Sequence, residues 1–474
     1  MFFNSIQYFI FLSLIYIIYW LIRNSFYKNL ILLAASYYFY SCWDFRFLFL
    51  LVFSTLLDFY SGIKIEKATN KKIWFRISII INLGLLCVFK YYNFFVESFE
   101  VFIKSFGFTF HPYLISVILP VGISFYTFHG LSYVIDVYNN KIKAERNFID
   151  YSLFVSFFPL LVAGPIERAT HLLPQIKQER IFSLIKSVDG LRQILWGLFK
   201  KIVVADQCAK LADLVFDSGA HFTGSTYLLG AFYFSIQIYC DFSGYSDIAL
   251  GTARLFGIEL LNNFSFPYFS RDIAEFWRRW HISLSSWFKD YVYIPLGGSK
   301  GNVWLRIRNT FIIFLLSGLW HGANWTFIVW GAINAIYIMP SIIFRSNRNN
   351  ISIVSKGRLL PSLKDSFNIL LTFSLTTFSW IFFRSTNINY AITFINNLFS
   401  SSIFTKPQID TKLILVIIPL FIIEWFGRDQ PHALTKLPFY NSLFIRWTFY
   451  LILTVFIILY AHKGGESQFI YFQF

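Results

Sequence analysis

The sequence predicts an all-α, polytopic membrane protein, and three bulk observations support that fold class. The 474 residues are 56% hydrophobic and 22% aromatic, with a mean hydropathy of +0.55. Only 14% are charged, whereas charged residues make up about a quarter of a typical soluble domain. Uncharged apolar stretches recur from one end of the chain to the other. These observations exclude a soluble globular fold.

Apolar runs of the length needed to cross a bilayer define the candidate helices. A span needs about 20 largely apolar residues, and on that basis we expect roughly ten to twelve membrane elements. The first run has no basic residue before it and is interpreted as a retained helix rather than a cleaved signal. The candidate runs are 5–22, 29–43, 45–63, 73–91, 113–137, 151–164, 226–240, 309–340 (too long for one pass), 366–383, 412–426 and 443–461.

The net charge of +16 comes from 41 Lys and Arg against 25 Asp and Glu. The basic residues lie mainly in short loops between apolar runs, where orientation in the membrane explains them better than nucleic-acid binding does. Loops 64–76, 141–146 and 177–201 are therefore predicted to face the cytoplasm. The four cysteines are scattered, with no pair at metal or redox spacing.

Two aspartates lie within apolar surroundings, where a charge is unfavourable unless it has a use. Asp241 and Asp247 are six residues apart in QIYCDFSGYSDIALG. A cation site is one interpretation, but no histidine or third carboxylate is close in sequence. Capping, or bonding to a neighbouring helix, is the favoured interpretation.

A basic, Trp-rich stretch at 276–291 is predicted to form one amphipathic helix. Apolar side chains recur there at steps of three or four residues. His281 lies on this apolar stripe and should face the protein interior. It would be either a core histidine whose ring nitrogens are hydrogen-bonded or a reactive histidine. Trp and Arg together are typical of a membrane interface. The opposite side carries most of the polar residues, namely Arg278, Arg279, Ser285, Ser286 and Lys289.

Residues 309–344 contain no Asp, Glu, Lys or Arg and a single histidine, His321. As one helix these 36 residues would measure about 54 Å, well beyond a hydrocarbon core of roughly 30 Å. The helix must therefore bend, break or tilt, and Ser317–Gly318 or Gly322 is the expected position. His321 lies about 18 Å along such a helix, which predicts a position near the bilayer centre.

A histidine within the membrane is the side chain best suited to accept a proton, because its unperturbed pKa is about 6.5. No G-x-S-x-G, H-E-x-x-H or phosphate-cradling glycine loop accompanies it. Direct transfer of an activated acyl group to a hydroxyl is then the plausible reaction, with His321 as base and Asn324 or Trp320 as oxyanion donor. A helix-packing hydrogen bond is the alternative use of His321. Phosphates of a thioester donor would be attracted by the cations Arg278, Arg279, Lys289, Lys300, Arg306 and Arg308.

The blocks around the two histidines resemble the membrane-bound O-acyltransferase family. The first block is FWRRWHISLSSWFKDYVYIPLGGS, which contains His281, and the second is LSGLWHGANWTFIVWG, which contains His321. Other blocks resemble the bacterial polysaccharide-acetylating branch, which includes the alginate O-acetylation membrane protein and peptidoglycan O-acetyltransferase. These blocks are LPVGISFYTF, VAGPIERA, QIYCDFSGYSDIA, WIFFRS and the terminal FIYFQF.

The resemblance implies a fold and a reaction. The fold is a ring of tilted transmembrane helices, with re-entrant or interfacial helices around a central tunnel. It forms one domain over residues 1–474 with a catalytic core at 113–340. His321 matches the family's catalytic histidine and His281 its second motif histidine. Acetyl-CoA, or a carrier-protein thioester, is the implied donor from the cytoplasm, and no metal is expected.

The resemblance also implies a location and partners. The protein would be a multi-pass protein of the bacterial cell (inner) membrane, with no nucleic-acid partner. On the outer face, a partner acyltransferase with a serine nucleophile would pass the acyl group to peptidoglycan or an alginate-like polysaccharide. D-alanyl transfer to teichoic acid is the alternative within the family. Outside it, the alternative is a proton-coupled transporter, although the repeated halves and paired intramembrane carboxylates expected of one are not evident.

Overall fold

The computed structural model describes residues 1–116, 118–161, 164–437 and 441–461, whose regular secondary structure is helical without β-strands. The all-α fold class is therefore confirmed. Among these residues, six helices are long and apolar enough to cross a membrane, as expected of a multi-pass membrane protein. The terminal block FIYFQF and the first two residues of VAGPIERA lie outside the described residues. The six helices are Arg46–Lys67, the continuous run Lys71–Ser105, Val303–His321, Trp325–Ile343, Leu363–Arg384 and Leu443–Ala461.

The chain divides into two compact units, of which the first comprises Met1–Lys186 and Ala253–Leu261. The run predicted at 113–137 becomes helical only at Ile123. This part of the prediction is wrong because Pro120 and Gly122, the latter at φ +76°, favour a turn over a helix. The helices of this unit are Ile6–Leu21, Ser25–Ser41, Arg46–Lys67, Lys71–Leu86, Tyr92–Ser105, Ile123–Tyr138, Phe148–Ser156, Phe158–Leu161 and Ala169–Lys177, with a π-turn at Cys87–Tyr91.

The second unit comprises Ser187–Thr252 and the described residues from Asn262 onward. The run predicted at 226–240 is part of a longer helix of 32 residues, Gly224–Leu255, whose end extends into the first unit. The other helices are Leu184–Leu198 (which begins in the first unit), Asp206–Asp217, Ile273–Arg279, Ile282–Phe288, Val303–His321, Trp325–Ile343, Leu363–Arg384, Ile388–Leu398, Ile414–Gly427 and Leu443–Ala461. Shorter elements are the π-helical Phe199–Ala205 and Lys289–Tyr293 and the 3₁₀ turns Pro267–Phe269 and Ser401–Phe404.

Two buried lysines neutralise the aspartates of the long helix. Lys200 contacts Asp247 at 2.6 Å, and Lys201 contacts Asp241 at 2.7 Å. Both lysines lie in the π-helical segment Phe199–Ala205, and its backbone packs against Gly244 of the long helix. Pairing offsets part of the cost of burying these charges. The prediction that the aspartates bond to a neighbouring helix is therefore confirmed.

Helices Val303–His321 and Trp325–Ile343 form a tight antiparallel hairpin. A Cβ at Gly318 would lie 2.3 Å from the carbonyl oxygen of Phe327, so only glycine permits this close approach. The break falls at Gly322, one of the two predicted positions, where the first helix ends. The predicted start of this helix at Asn309 is wrong, because the helix begins at Val303 and His321 is its last residue. A position of His321 near the bilayer centre stays a prediction.

Candidate active site

His281 occupies a break between two short helices. The stretch predicted as one helix over 276–291 instead forms Ile273–Arg279, Ile282–Phe288 and the π-turn Lys289–Tyr293. At His281 the backbone is left-handed, with φ +43° and ψ +54°. The single-helix prediction is wrong because a left-handed residue interrupts the helical hydrogen bonds. The predicted inward direction is confirmed, since His281 is 1% exposed.

Asn263 and Ser265 hold this turn in place. The backbone N–H of Ile282 donates to the Asn263 carbonyl over 2.9 Å. The Ser283 hydroxyl donates to the side-chain oxygen of Asn263 over 2.6 Å. On the other side of the turn, the N–H of Ser265 donates to the carbonyl of Arg279 over 3.0 Å. Contacts that are distant in sequence therefore bracket the turn and stabilise its left-handed conformation.

Aromatic rings border the His281 imidazole. The ring centroid lies 4.6 Å from that of Phe242 and 5.8 Å from that of Trp320, both in edge-on geometry. Among the described residues, neither ring nitrogen has a hydrogen-bond partner. Burial lowers the pKa of His281 to about 3. The imidazole is therefore neutral at physiological pH.

His321 is buried among three aromatic rings at the end of its helix. Its ring centroid lies 5.0 Å from Trp320, 5.1 Å from Trp330 and 5.2 Å from Phe383. The interplanar angles are 79°, 88° and 72°, respectively. Aromatic pairs favour this edge-to-face geometry, so the three rings fix the orientation of the imidazole.

Trp320 contacts both histidines, so the structure brings three of the predicted site residues together. The indole is itself buried, with 4% exposure. In such an apolar enclosure, charges and dipoles act more strongly than in water. An unprotonated imidazole can accept a proton from a hydroxyl, which is the chemistry predicted for His321.

The two arginines predicted to attract the donor have other partners. Arg278 donates through its terminal nitrogens to the carbonyls of Asn347 and Asn350, over 2.7 and 2.8 Å. Arg279 forms an ion pair with Glu275 over 2.9 Å. These contacts favour a role in holding the segment that leads to the left-handed turn. Donor binding by the two arginines stays a prediction.

Lys289 and Asn324 differ in how their side chains are engaged. Lys289 is exposed at the start of its π-turn. Asn324 accepts a hydrogen bond from the N–H of Thr326 as an N-cap and donates to the carbonyl of Thr386 over 2.8 Å. Its carboxamide thus holds the start of a helix. Substrate binding by either residue stays a prediction.

Sequence reasoning missed two residues that organise the site. Glu275 is 1% exposed and pairs with both Arg271 and Arg279, four residues away on either side. That spacing is a local helix signal by which the cluster could have been found. Asn263 lies 20 residues from its partner Ser283, and no local pattern marks it.

Comparisons with known proteins indicate the family to which the chain is similar. The sequence model of the membrane-bound O-acyltransferase family (MBOAT) matches residues 141–383, a range that includes His281 and His321. The chain is 37% identical over 441 residues to a protein of Azotobacter vinelandii named "Probable alginate O-acetylase AlgI", covering 91% of this chain and 85% of that protein. It is 35% identical over 399 residues to the peptidoglycan O-acetyltransferase of Helicobacter pylori, covering 78% and 73% of the two chains.

A further relative is more distant. The teichoic acid D-alanyltransferase of Bacillus subtilis is 27% identical over 276 residues. That similarity covers 56% of this chain and 68% of the relative. Both the identity and the coverage are lower than for the two O-acetylating relatives.

Proposed function

This chain belongs to the membrane-bound O-acyltransferase family and is a multi-pass membrane acyltransferase, and we propose that it moves acetyl groups across a bacterial inner membrane for O-acetylation of a polysaccharide. The names of the relatives from Azotobacter vinelandii and Helicobacter pylori support an acetyl group and a polysaccharide acceptor. D-alanyl transfer has weaker support, because that relative is similar over only 56% of this chain. Peptidoglycan and an alginate-like polysaccharide are both compatible with the relatives.

The observation that carries this proposal is the buried, aromatic enclosure of His321. In the proposed reaction, His321 takes the proton from the acceptor hydroxyl as its oxygen attacks the thioester carbonyl. The carbon–sulfur bond of the donor then breaks. The imidazolium returns the proton to the departing sulfur, so the products are an ester and a thiol. Trp320, which contacts both histidine rings, is the proposed donor to the developing oxyanion.

The helix that ends at His321 supports transfer from one membrane face to the other. Lys300 lies before helix Val303–His321, Arg306 and Arg308 lie in its first two turns, and His321 lies at its end. Nineteen residues measure about 28 Å, close to the roughly 30 Å thickness of the hydrocarbon core. Lys and Arg favour the cytoplasmic side. The basic end would therefore meet the donor, and the histidine would lie toward the acceptor side.

The donor and the partner complete the proposal. Acetyl-CoA is the proposed donor substrate, with a carrier-protein thioester as the alternative. An extracytoplasmic acyltransferase with a serine nucleophile is the proposed partner, an inference that rests on the family resemblance. The single domain over 1–474, with its catalytic core at 113–340, stays part of the proposal, supported by the family match over 141–383. The ring of tilted helices and its tunnel stay expectations from the same resemblance.

A transfer assay in oriented membranes tests this function. Acetyl-CoA with a labelled acetyl group is supplied only to the cytoplasmic face of vesicles that contain the chain, its partner and polysaccharide. Base-labile labelled ester should accumulate on the polysaccharide, and vesicles without the chain should form none. Label confined to lipid, or ester formation that requires activated D-alanine, would contradict the proposal.

A further inference from the structure

The loop between helices Trp325–Ile343 and Leu363–Arg384 is basic and exposed. Residues 344–364, which are this loop and the first two residues of the second helix, are called the basic rim below. They contain five cations and no Asp or Glu. All five cations are exposed, and among the described residues none of them forms an ion pair. The five are Arg345, Arg348, Lys356, Arg358 and Lys364.

Exposed apolar side chains alternate with these cations. Leu359 is 74% exposed, Leu360 is 76% exposed and Leu363 is 91% exposed, while Phe344 and Ile351 are also exposed. Because the basic rim joins two helices of membrane-spanning length, it lies at the depth where a bilayer presents its headgroups. Cations mixed with large apolar side chains are typical of surfaces that bind this interface.

The backbone of the basic rim is held by side chains from outside it. Arg278 donates to the carbonyls of Asn347 and Asn350. Arg428 donates to the carbonyls of Val354, at 3.0 Å, and of Ser355 and Arg358, at 2.9 and 2.7 Å. Two further bonds run from Arg271 to the carbonyl of Ser352 and from Trp425 to that of Leu359, both at 2.6 Å. The cationic side chains of the rim are therefore not needed to fold it.

The same contacts couple the basic rim to the segment before His281. Arg278 belongs to helix Ile273–Arg279, which ends two residues before that histidine. Asp272 caps this helix and also accepts a hydrogen bond from Asn350 over 2.6 Å. Anything that orders the rim therefore also restrains the helix that leads into the left-handed turn.

We propose that the basic rim binds anionic phospholipid headgroups and that this contact stabilises helix Ile273–Arg279 and the turn at His281. Charge complementarity and position favour this occupant, because clustered Lys and Arg beside a membrane helix attract anionic lipid. A phosphate-bearing acyl donor shares the chemistry of the headgroup. The exposed leucines distinguish the two, since an apolar surface matches a bilayer and not a soluble nucleotide.

Hydrogen–deuterium exchange of the full chain in nanodiscs tests this proposal. Nanodiscs contain either phosphatidylcholine alone or phosphatidylcholine with phosphatidylglycerol. Anionic lipid should slow exchange severalfold in the basic rim and in residues 271–288. A variant with Arg345→Gln, Arg348→Gln and Arg358→Gln should lose that slowing, because its rim backbone is still held but its charge is reduced.

A matched control removes the same number of exposed cations from the first unit, through Lys67→Gln, Lys72→Gln and Arg76→Gln. This control should keep the lipid-dependent slowing. Equal slowing in both triple variants, or none in the unmodified chain, would overturn the proposal. If acetyl-CoA slowed hydrogen exchange in the rim in phosphatidylcholine alone and anionic lipid had no effect, the rim would bind the donor. That result would also overturn the proposal. The readout requires no acyl transfer, so it is independent of the proposed function.

Discussion

His281 and His321 share one neighbour, Trp320, yet the chain holds them in different ways. The backbone fixes His281, which occupies a left-handed position bracketed by hydrogen bonds to Asn263 and Ser265. Side-chain packing fixes His321, which ends a regular helix and lies against Trp320, Trp330 and Phe383. Both imidazoles are buried in aromatic surroundings.

This difference indicates that His321 is the histidine suited to chemistry and that His281 has a positioning role. A left-handed non-glycine residue is unfavourable, and the surrounding structure must impose it. At His281 the important feature is thus the left-handed turn, because it sets the angle between helices Ile273–Arg279 and Ile282–Phe288. At His321 the backbone is ordinary helix, so the packed imidazole is the distinguishing feature.

The largest expected effect follows substitution of His321. We expect His321→Ala to lower polysaccharide acetylation by about 100-fold or more, the scale of a lost general base. The helix should persist, because alanine is the best helix former. Ester content per molecule of membrane-inserted protein is the measurement. Acetylation within threefold of the unmodified chain would assign His321 to helix packing.

A comparison of His281→Gly with His281→Ala tests whether the left-handed backbone at this position is important. Both substitutions remove the imidazole and leave a similar cavity, but only glycine adopts a left-handed conformation freely. We expect His281→Gly to be more stable than His281→Ala by about 1 kcal/mol, and to retain more activity. Thermal unfolding in detergent and the transfer assay provide the two readouts.

Ser285, within helix Ile282–Phe288, supplies the matched control. There the order should reverse, with glycine less stable than alanine by about 0.5–1 kcal/mol. If alanine were the more stable residue at both positions, the left-handed turn would not be the feature that sets the stability at His281.

A smaller effect distinguishes Arg278 from Lys289. Arg278 holds the carbonyls of Asn347 and Asn350, whereas Lys289 is exposed at the start of its π-turn. If Lys289 attracts the donor's phosphates, Lys289→Gln should raise the apparent KM for the thioester a fewfold and leave kcat unchanged. Arg278→Gln should instead lower thermal stability. An unchanged KM in the Lys289 variant would contradict donor binding by Lys289.

A further expected effect concerns pH. Because burial lowers the folded pKa of His281 to about 3, below an unfolded value of about 6.5, the unfolded chain binds more protons between these values. The contribution to stability is complete above about pH 6.5 and declines as the pH falls toward 3. The thermal midpoint of the unmodified chain should thus approach that of His281→Gly between pH 7 and pH 5. A constant difference would contradict a neutral, buried His281.

Much of the fold could be predicted because apolar length and charge are local properties. Because residues 309–344 are too many for one membrane-spanning helix, a break was expected. The break falls at Gly322, which is one of the two expected positions. The buried stripe of 276–291 was also predicted, since Trp280, Leu284 and Trp287 are buried.

The rest depended on contacts between residues far apart in sequence. The turn at His281 is bracketed by Asn263, which no local pattern connects to it. Arg278 was assigned to the donor from its charge, but its hydrogen-bond partners lie 69 and 72 residues away. The depth of His321 was counted from Asn309, whereas the helix begins at Val303 because Asn302 caps it.

Donor binding and chemistry can be measured separately in a His321→Ala variant. The labelled thioester is bound to the purified, membrane-inserted protein, its Kd is measured, and acyl transfer to the acceptor is followed in a single turnover. If His321 is the base, Kd should stay within about twofold of the unmodified value while the transfer rate falls by about 100-fold or more. A normal transfer rate, or a lost rate explained entirely by weaker donor binding, would contradict the role of His321 as the base.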